Sequence, residues 1–415
     1  MHQGDWNNGK LFIGGMPAKE LVKEFGSPLY VYDGGVIRDR FRKLSGAIGW
    51  QKKRIHYAMK ANSNVRILQV LEEEGACIDA VSATEVQIAL AAGFEPSRIL
   101  FTGINLTDAD FDFAMAKGVL LNIGSIYTLD RFGARHPGAS VSIRVNPDVG
   151  AGHHDHCITG GPDSKFGIWH SDLGQAKEVL TRHGLKLTGI HSHIGSGILE
   201  WSKFMEVMQA MTPIARQFEH LEFVDFGGGI GVPYRPDEPE FDLARFGREA
   251  NAFMEDLSNR NGRELVLAIE PGRFPVAEAG FLLVTATDIK STPNFTFVGV
   301  DSGFNHLVRP MAYGSYHHIV NVSQPDAPKK KVVVSGYLCE SGDVFTRNAE
   351  GAEAREIADP QPGNILAILT AGAYGFSMAM NYNSRPRPAE VLAENGVAHL
   401  IRRRETVEDI LSTQA

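Results

Sequence analysis

The sequence predicts an α/β protein with a (β/α)8 barrel at its centre, followed by an all-β domain of sandwich or barrel form. Three observations carry that expectation. Between about residues 54 and 270, eight short β-rich runs alternate with longer stretches of helical spacing or composition. The first five runs begin about 20 residues apart, the length of one strand plus one crossover helix. Past Phe274 the long helical stretches stop and strands succeed one another.

The barrel runs are Ile55 to Ala58, Cys77 to Ala80, Ile99 to Thr102, Val119 to Asn122, Val141 to Val145, Gly189 to Ser192, Glu222 to Phe226 and Val266 to Glu270. Ser82 to Ala92 illustrates the intervening helices: it is amphipathic, with a serine cap and Glu85 at the capping-box position. Strand and helix units in series of this number point to a closed barrel. The second domain is read from Phe281 to Ile289, Phe295 to Val300, Lys331 to Ser335, Ile365 to Leu369 and His399 to Arg402. The expected division is therefore residues 1–34, an opening segment whose strand Leu29 to Asp33 pairs with the β domain; 35–274, the barrel; and 275–415, the β-rich domain.

Composition excludes several classes of function. With 43% hydrophobic and 22% charged residues in 415, the chain folds and buries a sizeable core. No apolar run reaches the roughly 18 residues a membrane helix needs, and Met1 to Lys10 is polar where a secretion signal would be apolar. Cys77, Cys157 and Cys339 are odd in number and form no CxxC pair, which argues against a disulfide framework and a zinc ribbon. A cytoplasmic protein is expected, bound neither to membrane nor to nucleic acid. The net charge of -8 offers phosphate backbones nothing, and Lys329 to Lys331 and Arg402 to Arg404 are too short to change that.

Barrel enzymes place their chemistry at the C-terminal ends of the strands, and here those ends are chemically unusual. Lys60 follows the first run, Asp79 closes the second, Arg144 and Asn146 flank the end of the fifth, and His191 and His193 sit at the sixth. Gly227, Gly228 and Gly229 follow the seventh and Glu270 ends the eighth. A lysine held inside a barrel mouth loses solvent, which favours the nucleophilic amine that a Schiff base needs; a snorkelling lysine is the ordinary alternative. The glycine run can turn several N–H groups onto a phosphate, or can be a tight turn alone; it matches neither GxGxxG nor a Walker motif.

His191 and His193 stand at i and i+2, so both rings are expected on one side of a strand. With no third ligand evident, no metal is expected, and one ring is better placed to stack on a planar ligand. The cluster His153, His154, Asp155 and His156, set among glycines, reads as a loop over the barrel mouth. Glu270 could keep a pyridinium nitrogen protonated, or could pair with Arg273. A lysine, a phosphate cradle, a stacking ring and a carboxylate at one mouth together suit pyridoxal 5'-phosphate.

The motifs also carry a resemblance. YAMKAN from Tyr57, HIGSG from His193, GGGIGVPY from Gly227, EPGRF from Glu270, RPMAYGSYHHI from Arg309, CESGDVF from Cys339, GAYGFSM from Gly372 and YNSRPRPAEVL from Tyr382 span most of the chain. In these the sequence resembles the barrel-type (fold type III) pyridoxal-phosphate-dependent decarboxylases, and within them the diaminopimelate decarboxylases. The resemblance implies that Lys60 bonds covalently to the cofactor, His193 stacks on its ring and Glu270 pairs with its nitrogen. Ser196, Gly227, Gly228, Gly229 and Tyr374 would hold the phosphate, Gly272 and Arg273 would join the cofactor site, and Asp79 would lie near the lysine. Cys339 would be the proton donor. It would reach the site with Glu340 from the second subunit, which implies a homodimer with shared active sites.

Specificity is expected at the far end of the substrate. Arg273, Arg309, Tyr313 and Tyr374 suit a carboxylate, and Glu340 suits an ammonium, so the pair would clamp a second amino-acid head group. The expected reaction is decarboxylation of meso-2,6-diaminopimelate at its D centre, giving L-lysine and CO2. The alternative is a related decarboxylase of secondary metabolism acting on another carboxylated amine or a carrier-bound amino acid.

Overall fold

The computed structural model describes residues 4–150 and 159–415 and divides into two compact units. One holds residues 40–232 and 240–274; the other holds 4–39, 233–239 and 275–415.

The first unit is a closed barrel of eight parallel strands. In order around it are Lys53–Ala58, Cys77–Ala80, Ile99–Phe101, Leu120–Ile123, Ser140–Asn146, Lys186–His191, Phe223–Asp225 and Val266–Ile269, the last pairing back onto the first. A short extra strand, Ile168–Trp169, adds to Ser140–Asn146. Local chemistry sets the helices between them. Ser82 Oγ accepts the Glu85 N–H at 3.1 Å, satisfying one donor that the start of Ala83–Ala91 leaves orphaned, while Glu85 Oε2 turns back past the cap to accept the Val81 N–H at 2.8 Å rather than that of Ser82 as a capping box would. Within the barrel Leu100, Phe223 and Ala268 form one buried cluster with Leu120 and Val266 against it. Gly189 makes room for Phe223, because a Cβ there would lie 2.0 Å from that ring. Burying a phenylalanine contributes about 1.5–3 kcal/mol, so a side chain at position 189 would forfeit more than it adds.

The second unit is built on a mostly antiparallel sheet. Its path runs Arg355–Ala358, Lys329–Ser335, Thr296–Val300, Gly280–Ser291, Leu29–Asp33, Ala389–Glu394 and Val397–Arg402, with Ile365–Ile368 joining Gly280–Ser291 to Ile319–Asn321. Gly280–Ser291 is long enough to pair with Leu29–Asp33 and Ile365–Ile368 along its first half and with Thr296–Val300 along its second. Leu29–Asp33 also lies parallel to Ala389–Glu394. A small sheet of Asp5–Asn7, Lys10–Ile13 and Met16–Pro17, which the sequence pattern did not indicate, packs Leu11 and Ile13 into a cluster with Val31, Phe281 and Val391. No helix among the described residues is long and apolar enough to cross a membrane.

Candidate active site

Within the barrel unit the charged groups collect at the C-terminal ends of the strands, as the chain order requires. Lys60 sits in the single turn Met59–Ala61 that follows Lys53–Ala58. Its Nζ donates to Asp79 Oδ2 at 2.7 Å, across to the end of Cys77–Ala80. Asp79 is buried, and loss of solvent followed by repulsion from Glu270 raises its carboxyl above the usual range, against the pull of Lys60.

Glu270, just past Val266–Ile269, is buried and takes a hydrogen bond between its Oε2 and His191 Nε2 at 2.9 Å. Its other oxygen, Oε1, is enclosed and has no hydrogen-bond partner among the described residues. Arg144, buried on Ser140–Asn146, lies with its Cζ 4.4 Å from the Phe166 ring centre. Desolvation lowers it to about 10 while Glu270 and Asp79 oppose that fall. Arg273 Nη2 donates to Ser196 Oγ at 3.1 Å.

The two histidines do not share a strand face. The strand ends at His191, which is fully buried against Glu270, and His193 lies beyond it, partly exposed. His193 is held by the glycine turn: the Gly228 N–H donates to its Nδ1 at 3.0 Å. That bond makes Nδ1 the acceptor and places the ring proton of the neutral form on Nε2. Desolvation, then Arg144, Lys60 and His191, hold the imidazole well below its ordinary range, so it is an uncharged flat ring. The turn itself is tightly built. Gly227 has φ +71° and Gly229 φ +117°, and a Cβ on Gly228 would lie 2.0 Å from the Glu270 carbonyl oxygen. Gly272 is buried in the segment between Glu270 and Arg273.

Two residues that the sequence reading passed over lie beneath this turn. Asp225 Oδ1 accepts the Gly227 N–H at 2.8 Å, and Asp225 Oδ2 lies 3.4 Å from His56 Nδ1. Burial pulls the His56 ring down, but the nearby Asp225 and Cys77 outweigh it and push it up to about 10. His191, Asp225 and Glu270 bring one potential ligand atom each within 4.8 Å of one another; His191 and Glu270 are bonded to each other, while Asp225 is bonded to Gly227. The period-2 register that puts His56 on the face of Ala58 was the available signal. His153, His154, Asp155, His156 and Cys157 lie outside the described residues.

The remaining expected residues belong to the second unit. Arg309 starts the short helix Arg309–Tyr313 and is only 2% exposed; its Nη1 bonds to His317 Nε2 at 3.0 Å. Tyr313 closes that helix and is partly buried. Cys339 and Glu340 are exposed; the Cys339 N–H donates to Asn383 Oδ1 at 2.7 Å, and Tyr382 Oη donates to Glu340 Oε2 at 3.2 Å. Tyr374 holds a left-handed backbone with φ +56°.

The barrel residues fit pyridoxal phosphate on observations of this structure. They offer an amine beside a carboxylate, a buried carboxylate oxygen in want of a donor, a neutral planar ring held edge-on by backbone, and a glycine turn that admits no side chain. Comparison with known proteins agrees. The family described as "Pyridoxal-dependent decarboxylase, pyridoxal binding domain" matches residues 35–277. The chain is 44% identical to a diaminopimelate decarboxylase of Methanothermobacter thermautotrophicus, over 98% of this chain and 96% of that one. It is 41% identical to the diaminopimelate decarboxylase of Escherichia coli K12, over 95% of each. Among solved structures, a diaminopimelate decarboxylase from M. jannaschii in co-complex with L-lysine superposes with a TM-score of 0.90 at 32% identity, covering 100% of this chain and 98% of that one. With a family match over more than half its length and relatives matched nearly end to end, this chain belongs to the diaminopimelate decarboxylases, within the pyridoxal-dependent decarboxylase family.

Proposed function

We propose that this protein removes the carboxylate at the D centre of meso-2,6-diaminopimelate and releases L-lysine and CO2. The observation that carries the reading is the end-to-end likeness to diaminopimelate decarboxylases, one of them solved with L-lysine. Bound pyridoxal phosphate supplies the sink for the electron pair left at Cα when CO2 departs.

The protein's own residues do the rest. Lys60 would give the amine that attaches the cofactor, and Asp79 holds that amine at the strand ends. Glu270, with one oxygen tied to His191, would offer the other to the cofactor's ring nitrogen and favour its protonated form. His193 supports one ring face in a single tautomer. Ser196, Gly227, Gly228, Gly229 and Tyr374 would hold the phosphate, Gly272 and Arg273 would join the cofactor site, and Arg273 braces Ser196. Arg309 and Tyr313, with Arg273 and Tyr374, receive the distal carboxylate and Glu340 the distal ammonium.

Cys339 would return a proton to Cα. We assign Cys339 and Glu340 to the site of a partner copy in a homodimer, and their exposure supports that. The free thiols of Cys77 and Cys339 support a reducing, cytoplasmic setting. The test is incubation of the purified protein with pyridoxal phosphate and meso-diaminopimelate, followed by chiral analysis of the amino acid released. L-Lysine is expected; D-lysine, or no turnover, would overturn the reading.

A further inference from the structure

Two motifs in the second unit have no part in the chemistry described so far: Pro233–Tyr234–Arg235 and Tyr316–His317–His318. They meet around Arg309. His317 is fully buried, and its Nδ1 lies 2.9 Å from the Leu369 carbonyl oxygen. A carbonyl only accepts, so Nδ1 carries the proton and Nε2 is left as an acceptor. Arg309 Nη1 donates to that Nε2 at 3.0 Å, and Nη2 donates to Ser315 Oγ at 3.3 Å.

Tyr234 covers the flat side of the guanidinium, with its ring centre 4.4 Å from Cζ, and meets the His317 ring edge-on at 5.3 Å. The segment bearing His317 is itself fixed. Arg235 and Arg355 lie 4.4 and 4.1 Å from the centre of the Tyr316 ring, and Arg355 Nη1 donates to the His317 carbonyl at 3.1 Å.

A free arginine side chain carries about 2 kcal/mol of rotamer entropy, which a binding site must otherwise remove when the ligand arrives. Here bonds from His317 and Ser315 and the face of Tyr234 remove it beforehand. We propose that His317 and Tyr234 are positioning residues that pre-set the Arg309 guanidinium, and that they thereby select a substrate bearing a distal carboxylate. The proposal rests on the reading that Arg309 meets that carboxylate.

Two enantiomers isolate the effect. L-Lysine keeps the carboxylate of the L centre, the end that Arg309 is assigned; D-lysine keeps only the carboxylate of the reacting centre. Binding of each to the holoenzyme is measured by calorimetry, beside kcat and KM for meso-diaminopimelate. In His317→Leu, L-lysine affinity is expected to fall about tenfold, the equivalent of roughly 1.4 kcal/mol. D-Lysine affinity stays within about twofold, and KM rises while kcat holds. His317→Gln, which restores an acceptor, recovers most of the loss. Should His317→Leu fail to fold, Tyr234→Leu carries the same comparison. Equal weakening of both enantiomers, or of neither, overturns the proposal. A wild-type enzyme that neither converts meso-diaminopimelate nor binds L-lysine overturns the substrate reading and the proposal together, before any variant is made.

Discussion

Lys60 Nζ lies 2.7 Å from Asp79 Oδ2, yet the two side chains differ in exposure: Asp79 is 1% accessible and Lys60 38%. The carboxylate is therefore an enclosed anchor, and the amine it holds is the more accessible of the two groups. Two opposed effects decide what Asp79→Asn does. It removes an attraction to Lys60, weakened by the water that the lysine retains, and it also removes the cost of burying the Asp79 charge and the repulsion that Glu270 exerts on it. We expect fold stability in urea to change by less than about 1 kcal/mol. Affinity for pyridoxal phosphate, followed by absorbance, should fall about tenfold, because the amine is no longer held in place. A large loss of stability with cofactor affinity intact would contradict this assignment.

The bond from His191 to Glu270 Oε2 predicts a different outcome at the neighbouring carboxylate. Glu270→Gln keeps the shape of the side chain but replaces an anion with an amide, which cannot hold a ring proton. Turnover of meso-diaminopimelate is expected to drop at least about 10²-fold, while the borohydride-reduced mass adduct at Lys60 still forms. Turnover within tenfold of wild type would remove Glu270 from the role proposed for it.

Gly228→Ala tests the turn. Its φ is not left-handed, so the difficulty is space alone: the new Cβ would stand 2.0 Å from the Glu270 carbonyl oxygen, and both atoms belong to backbone. The turn must move, which costs about 1–3 kcal/mol and displaces the donor on His193. Reduced thermal stability and loss of cofactor on gel filtration are expected together. Gly174→Ala is the control, since nothing lies within 4 Å of a Cβ at that helical position. There stability should hold or rise by about 0.5–1 kcal/mol.

These sites show what a linear reading can reach. Cys77–Ala80 is a strand over the same residues in sequence pattern and structure, because a short run with Cys77, Ile78 and Ala80 follows the break at Gly75 that ends the preceding helix. The strand-end residues Lys60, Asp79 and Glu270 were legible for the same reason, since a barrel delivers every strand end to one face. The His56–Asp225 pair was not, because only the fold brings those two strands to within 3.4 Å at these atoms. Nor was the grouping of Pro233–Pro239 with the second unit, which depends on contacts such as Tyr234 with Arg309, far apart in the chain. Asp5–Asn7 was missed because it is exposed throughout and is a strand only by pairing with Lys10–Ile13.

Beside the Asn383 bond to the Cys339 N–H, one carboxylate fixes the loop that carries Cys339, and this predicts a pH dependence. Asp343 accepts the Leu338 N–H on Oδ2 at 2.8 Å and the Phe304 N–H on Oδ1 at 2.7 Å, so it pins the residue before Cys339. Burial raises its carboxyl to about 6; the two N–H bonds pull it down and the charge of Glu340 adds to the rise. The folded state thus keeps a proton that the unfolded chain releases near pH 4. Stability falls as pH climbs from about 4 to about 6, by on the order of 2–3 kcal/mol, and is flat above. Activity runs the other way, because only the ionised group accepts both bonds fully, so kcat should rise through pH 6. Asp343→Asn offers one acceptor oxygen and no titration. It should lower kcat about tenfold, erase the limb near pH 6 and flatten the stability slope between pH 4 and 6. A kcat profile in the variant that still rises with an unchanged midpoint would assign that limb to another group.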